Sequence, residues 1–213
     1  MMRNNVNTLH NSSTEAERVS SYLSQVLAFA IPKDVCRDTA RRLLERFGSL
    51  DLVCSATVSE LESVEGVTRN AALLLRLCAA LSSRRVTDAF ELGKAHTAEE
   101  ISRYFVALFM GLSVETVYMM LLDGRGRVTG VEYMGEGTVS NSDVYPRRLV
   151  ERAVTRGAAA VILAHNHPRG SATASPDDVV ATGRLRAVFK ASGIELIDHY
   201  VVAERDVIRV SEE

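Results

Sequence analysis

The chain has 213 residues, 46% of them apolar and 24% charged, with a formal net charge of −2 and no tryptophan. That length accommodates one domain with a sizeable core plus a smaller second module. The near-neutral charge argues against binding that rests on wholesale phosphate neutralisation, and no run approaches the ~18 consecutive apolar residues that span a bilayer.

The opening MMRNNVNTLHNSSTEAER is polar and lacks the apolar stretch of a secretory signal. It reads as a disordered tail over 1–18. Three cysteines, Cys36, Cys54 and Cys78, fall in or near helical patterns. They read as small buried or half-buried side chains of a reducing compartment, so a cytoplasmic location is expected. The basic pairs at 41–42, 84–85 and 147–148 are short and read as solvated helix faces.

From 19 to 85 the pattern is helical, with apolar residues at three- and four-residue spacing over 19–30 and 34–47 and a stop at Gly48. Thr57 followed by Glu60 is a capping box that opens a short helix through Val64. Glu65-Gly66-Val67-Thr68 turns into a longer helix over about 70–83. Residues 86–96 read as a linker, and a second capping box, Thr97 with Glu100, opens a helix to about Met110.

The period then changes. VETVYMMLLD (114–123) is β-branched and apolar, and GRGR turns it into VTGVEYMGEGT (128–138). Asn141 or Ser142 is the expected cap of a helix ending near Arg156-Gly157. AAAVILAHNHP (158–168) is the continuous apolar run of a strand buried on both faces. A loop of small residues leads to a helix over 176–192, and strands at 194–204 and 207–211 close the chain. Helices alternating with apolar strands predict an α/β or α+β layered domain with a mixed sheet over 97–213.

The stretch His165-Asn166-His167-Pro168 through Ser175-Pro176-Asp177-Asp178 carries the chemistry. Strand residues two apart face the same side, so His165 and His167 present both imidazoles to one point at the end of the buried strand. Pro168 ends ladder pairing, and the loop brings a carboxylate of the next helix back to the histidines. Two His and one Asp leave a fourth tetrahedral position for water, the pattern of a catalytic zinc whose bound water ionises near pH ~7. One zinc per chain, held by His165, His167 and Asp178, is the expectation. Taken alone, Ser175-x-x-Asp178 with Pro176 reads as a helix start with no metal, and it is the paired histidines that shift the balance.

Other motifs fit poorly. The nuclease motif spelled HNH scatters its residues through a ββα unit. A deaminase requires His-x-Glu and Pro-Cys-x-x-Cys, neither of which is here. All three cysteines precede the α/β region and have no neighbouring histidine in sequence.

The order Glu115, His165-x-His167-Pro168, Ser175-x-x-Asp178 resembles the JAMM/MPN metalloprotease motif. With FGSL (47–50), SELESVEGV (59–67), ETVYMMLLD, GEGT (135–138), YPR (145–147), LAHNHP and IDHYVV (197–202), most of the chain resembles the RadC-like proteins. The resemblance implies a JAMM/MPN domain with a cytidine-deaminase-like mixed sheet and flanking helices, preceded by a small all-α helix-hairpin-helix module. It implies zinc ligation by His165, His167 and Asp178, proton transfer by Glu115, and oxyanion support by Ser175. From the residues alone, Glu115 reads as a strand-end surface carboxylate, and Glu132 and Glu136 are as well placed by spacing. Asp198-His199 also matches and reads as a structural hydrogen-bonding pair. Arg169 stands where relatives commonly have serine, Ala174 where they often have proline, and Arg148 where an acidic residue is usual.

In DNA-binding hairpins of this kind the turn is Gly-hydrophobic-Gly, and its N–H groups meet phosphates. Thr68 replaces the second glycine. A positive φ there would cost on the order of 1–3 kcal/mol, so 57–85 reads equally as a packing motif. Two functions follow as expectations: a zinc hydrolase of peptide or isopeptide bonds, or a DNA-associated accessory protein whose metal site is structural or vestigial.

Overall fold

A computed structural model describes residues 5–137, 146–168 and 170–210, with side chains from residue 16 onward. The expected cap at Asn141 or Ser142, residues 138 and 145 of the family segments, and Arg169 lie outside the described residues. The chain divides into two compact units, Met1–Leu81 and Ser82–Glu213.

The first unit holds α1 (Asn5–Leu27), α2 (Lys33–Phe47), α3 (Leu50–Ser55), α4 (Val58–Glu62) and the start of α5 (Arg69–Ala89). Leu23, Leu27, Leu43, Val53, Leu61 and Leu75 form its core. Helix α1 begins at Asn5, inside the stretch whose composition reads as a tail. No Gly or Pro interrupts 5–27, so a helix anchored by Leu23 and Leu27 propagates N-terminally with no breaker to stop it. Helix α3 has no counterpart in the sequence pattern; Ser49 caps it by accepting from the Leu52 N–H, and six residues are too few to display a period.

The Thr57–Glu60 capping box is formed in full. At the turn Gly66 takes φ +93°, whereas Thr68 keeps a negative φ. Thr68 instead caps α5, its Oγ1 accepting from the Ala71 N–H at 3.2 Å. The strain anticipated for Thr68 is therefore absent, because its hydroxyl makes it a helix start and not a left-handed stop.

In the second unit five strands, β1 (Thr116–Leu122), β2 (Val128–Glu136), β3 (Ala160–Asn166), β4 (Glu195–Ala203) and β5 (Asp206–Arg209), form one sheet in the order β2-β1-β3-β4-β5. Among the described strands only β3 and β4 pair in parallel. Helix α8 (Pro176–Ala191) makes the crossover between them. One face of the sheet packs Val117, Met119, Val161, Leu163 and Leu196 against α7 (Pro146–Thr155) and α8, through Leu149, Leu185 and Phe189. The other packs Met120, Ile162, Ala164 and Tyr200 against α6 (Ala98–Phe109), through Ile101, Phe105 and Phe109. The domain is thus the mixed sheet with flanking helices that the alternating pattern predicts.

Residues 86–96 are not a free linker. Helix α5 continues to Ala89, Phe90 stacks on His96 with ring centroids 3.9 Å apart, and it also meets Tyr104 at 4.3 Å. Gly93 N–H donates to Val128 O and Val128 N–H to Lys94 O, which fastens the segment beside the start of β2. Its polar composition hides one aromatic anchor. No described helix is long and apolar enough to cross a membrane. Cys36 is buried, Cys54 half-buried and Cys78, contrary to expectation, exposed.

A Cβ on Gly66 would stand 2.5 Å from Thr39 Oγ1. Gly66→Ala is expected to lower stability in urea denaturation by about 1–3 kcal/mol, and Thr68→Gly by roughly a few tenths through loss of the cap. A stabilised Thr68→Gly variant would contradict the role given to its hydroxyl.

Candidate metal centre

Strand β3 is buried along its whole length and sits between β1 and β4. Its odd-numbered residues face α8, so Val161 and Leu163 enter the core while His165 and His167, further along, reach the sheet edge on the same side. His165 is wholly buried and His167 partly exposed. Asn166 points the other way. Its Oδ1 accepts from Thr116 N–H at 2.8 Å and its Nδ2 donates to Val114 O at 3.2 Å, gripping the backbone on both sides of Glu115.

The small-residue loop returns the chain to Ser175, which begins α8 with a complete capping box. Asp178 Oδ2 accepts from Ser175 N–H at 2.8 Å and from Ser175 Oγ at 2.7 Å. Asp178 Oδ1 is buried and has no hydrogen-bond partner among the described residues. The cap and the site are two uses of one side chain.

The donor atoms converge. His165 Nε2 lies 3.1 Å from His167 Nε2 and 3.4 Å from Asp178 Oδ1, while His167 Nε2 lies 3.8 Å from Asp178 Oδ2. Tetrahedral bonds of about 2.0–2.1 Å set neighbouring ligand atoms about 3.3 Å apart, so this spacing fits a small cation. His167 Nδ1 faces Ser171 O at 3.1 Å. A carbonyl only accepts, so the proton sits on Nδ1 and Nε2 is bare toward the centre. Gly170 lets the loop close here, since a Cβ on it would stand 3.3 Å from the His167 Cβ. His165, His167 and Asp178 together can hold a metal ion.

Behind His165 lies His199, with His165 Nδ1 2.9 Å from His199 Nε2 and Thr182 Oγ1 2.6 Å from His199 Nδ1. The expected pairing of Asp198 with His199 does not occur: Asp198 turns to the other face and meets Arg209 at 3.3 Å. A bulge sets this phase. Val161 pairs with Leu196 but Ile162 with Asp198, so Ile197 is an extra residue that rotates His199 to the α8 side. Spacing alone makes neither His199 nor Thr182 a site residue. The position of Thr182, one helical turn beyond Asp178, is the available signal.

Glu115 and Ser175 are both half-buried at the mouth of an open groove of about 700 Å³, which they line with Ser113, His167, Pro168, Gly170 and Asp178. Of the other carboxylates that spacing leaves open, Glu132 is held between Arg152 at 3.1 Å and Arg156 at 2.5 Å, and Glu136 ends β2 opposite Thr116. Neither lines the groove. Ala174 is half-buried in the loop, and Arg148 is exposed on α7.

A family model described as RadC-like JAB domain matches residues 95–213. A UPF0758 protein of Aromatoleum aromaticum is 34% identical over 166 residues, covering 78% of this chain and 74% of that protein. One of Nitrosococcus oceani is 32% identical over 203 residues, covering 95% and 89%. One of Vibrio atlanticus is 34% identical over 172 residues, covering 80% and 77%.

Burial, and then the neighbouring His165, push the His199 pKa down from 6.5 to about 3. Between those values the unfolded chain binds a proton that the folded chain does not, so stability falls as pH falls through the window. In metal-free protein, His199→Gln is expected to flatten the slope of unfolding free energy against pH between about 6 and 4 by nearly one proton. An unchanged slope would place the acid sensitivity elsewhere.

Proposed function

The chain belongs to the family of RadC-like JAB-domain proteins, and on that footing we propose that it is a zinc-dependent hydrolase of amide bonds, of the peptidase or isopeptidase type. The observation that carries this reading is the bare, buried Asp178 Oδ1 beside the Nε2 atoms of His165 and His167, at the floor of an open groove. Three protein ligands with one side open are the donor set of a catalytic and not a structural zinc. A zinc ion held there supplies a Lewis acid and lowers the pKa of water to about 7.

The protein's own groups supply the rest. The substrate amide lies in the groove, with its carbonyl carbon open to attack by water. Glu115 takes a proton from the attacking water as the new C–O bond forms. It gives the proton to the departing nitrogen as the C–N bond breaks, so the leaving group is a neutral amine. Its backbone is held for this by Asn166 on one side and by Gly137 N–H, which donates to Glu115 O at 2.8 Å, on the other. Ser175 has one hydroxyl proton, which here points to Asp178 Oδ2. Rotated into the groove, the same proton becomes a donor to the oxyanion that develops on the carbonyl oxygen.

Metal analysis beside hydrolysis of fluorogenic peptide and ε-lysyl isopeptide substrates tests the reading. The wild-type chain is expected to carry about one zinc, His167→Ala to lose it, and Glu115→Gln to keep it while losing at least about 100-fold in rate. Equal metal content in all three proteins removes the ligand assignment, and a fully active Glu115→Gln removes the proton carrier.

A further inference from the structure

We infer that Thr182 and His199 are positioning residues that fix which ring nitrogen of His165 carries the proton, keeping Nε2 bare toward the centre. The inference rests on the reading of His165 as a metal ligand, but the tautomer itself is a property of the protein alone.

The direction of the chain is set at its far end. Thr182 Oγ1 lies 2.6 Å from the backbone carbonyl of Asp178, and a carbonyl can only accept, so the hydroxyl proton goes there. The lone pair of Oγ1 then faces His199 Nδ1 at 2.6 Å, which must carry hydrogen. A neutral imidazole has one N–H, so His199 Nε2 is bare and accepts from His165 Nδ1 at 2.9 Å. That leaves His165 Nε2 without a proton, 3.4 Å from Asp178 Oδ1.

The reverse direction fails physically. If Thr182 donated to His199 Nδ1, its oxygen and the Asp178 carbonyl would be two acceptors at 2.6 Å with no proton between them. His199 would carry hydrogen on Nε2 and donate to His165 Nδ1. The His165 proton would then move to Nε2 and stand in the space where a cation binds. His165, Thr182 and His199 are each 0% exposed, so no solvent hydrogen bond competes with the chain.

Asp178 therefore contributes twice, by its carboxylate to the centre and by its carbonyl to the proton order of its neighbour. Helix α8 joins the two, because Thr182 sits one turn after Asp178. Metal-binding histidines commonly donate their second N–H to a carboxylate or a backbone carbonyl. Here a neutral imidazole relays that carbonyl from one turn away.

The test uses the full metal-free chain labelled with 15N-histidine, long-range 1H–15N spectra to read tautomers, and zinc affinity by chelator competition. Wild type is expected to show His165 and His199 both protonated on Nδ1. Thr182→Val is expected to shift His165 toward the Nε2–H form and to weaken zinc about 10–100-fold, whereas Thr182→Ser retains both properties. His199→Gln, whose side-chain oxygen can take the Nδ1 proton of His165, is expected to bind zinc far better than His199→Leu. A wild-type His165 with no hydrogen on Nδ1 overturns the inference, and so does a Thr182→Val protein with unchanged tautomer and affinity. Equal affinities for the Gln and Leu variants would reduce His199 to packing. A wild type that binds no zinc would refute the proposed function, while the tautomers would still decide this point. Should a variant fail to fold, the tautomers of the wild type alone uphold or overturn the inference.

Discussion

Asp178 must satisfy two geometries at once, and the rest of the site is arranged around that requirement. As the third residue of α8 it closes a capping box, which fixes its side-chain rotamer and holds Oδ2 against Ser175. With Oδ2 engaged there, Oδ1 has a single direction left, toward the two histidines. A carboxylate held by helix-start geometry does not have to be ordered again when a cation arrives, so little conformational entropy opposes binding. The Pro176 ring and the N–H and O–H donors of Ser175 make the same residue both the start of a helix and the wall of a site.

The crossover connection decides where that helix starts. Because β3 and β4 run parallel, the chain has to leave the end of β3, traverse α8 and return, and the start of α8 is thereby brought to the end of β3. The bulge at Ile197 then corrects the phase of β4 so that His199 backs onto His165 and does not point toward α6. On the opposite side, the antiparallel pairing of β1 with β3 runs from Leu122–Ala160 to Val117–His165, and the Asn166 side chain extends it by one step. That step sets the backbone of Glu115 beside the histidines. Three strands and one helix each contribute one constraint, and the loop after β3 adds another by setting Ser171 O against His167 Nδ1.

How much of the site is legible in the sequence follows from how local each constraint is. His165 and His167 are readable because strand alternation is a two-residue rule, and β3 obeys it without interruption. Asp178 is readable both as cap and as ligand, and both geometries are present in one side chain. Glu115 is not separable from Glu132 by spacing, since what separates them is Arg152 of α7 and Arg156 just after it reaching across to Glu132. Sequence adjacency suggests Asp198 as the partner of His199, yet adjacent strand residues face opposite sides, and a bulge in a parallel pair leaves no local signature. Thr182 has the pattern of any mid-helix threonine, and only the fold sets a buried imidazole against it. In the first unit α3 is too short to show a period. In the second, the polarity of 86–96 suggests a linker, although Phe90 and the backbone bonds of Gly93 and Lys94 to Val128 hold it in place.

The hairpin of the first unit bears on how the function should be weighed. A turn that grips a phosphate does so with N–H groups left over by the helix it opens. At the start of α5 one of those donors has its partner in the turn itself: Ala71 N–H bonds the Thr68 hydroxyl. A glycine at 68 could not make this bond. The threonine therefore shifts the turn from offering donors toward satisfying them, and Arg69, at the start of α5, faces Glu62 at 3.6 Å. A net charge of −2 adds no general attraction for a polyanion. In Ser82–Glu213 the buried Asp178 Oδ1 has no hydrogen-bond partner among the described residues and faces the Nε2 atoms of His165 and His167, a set that could hold a metal ion. The threonine thus closes the start of α5 with its own hydroxyl, while in the sheet domain the Asp178 cap leaves one buried carboxylate oxygen facing the two histidines.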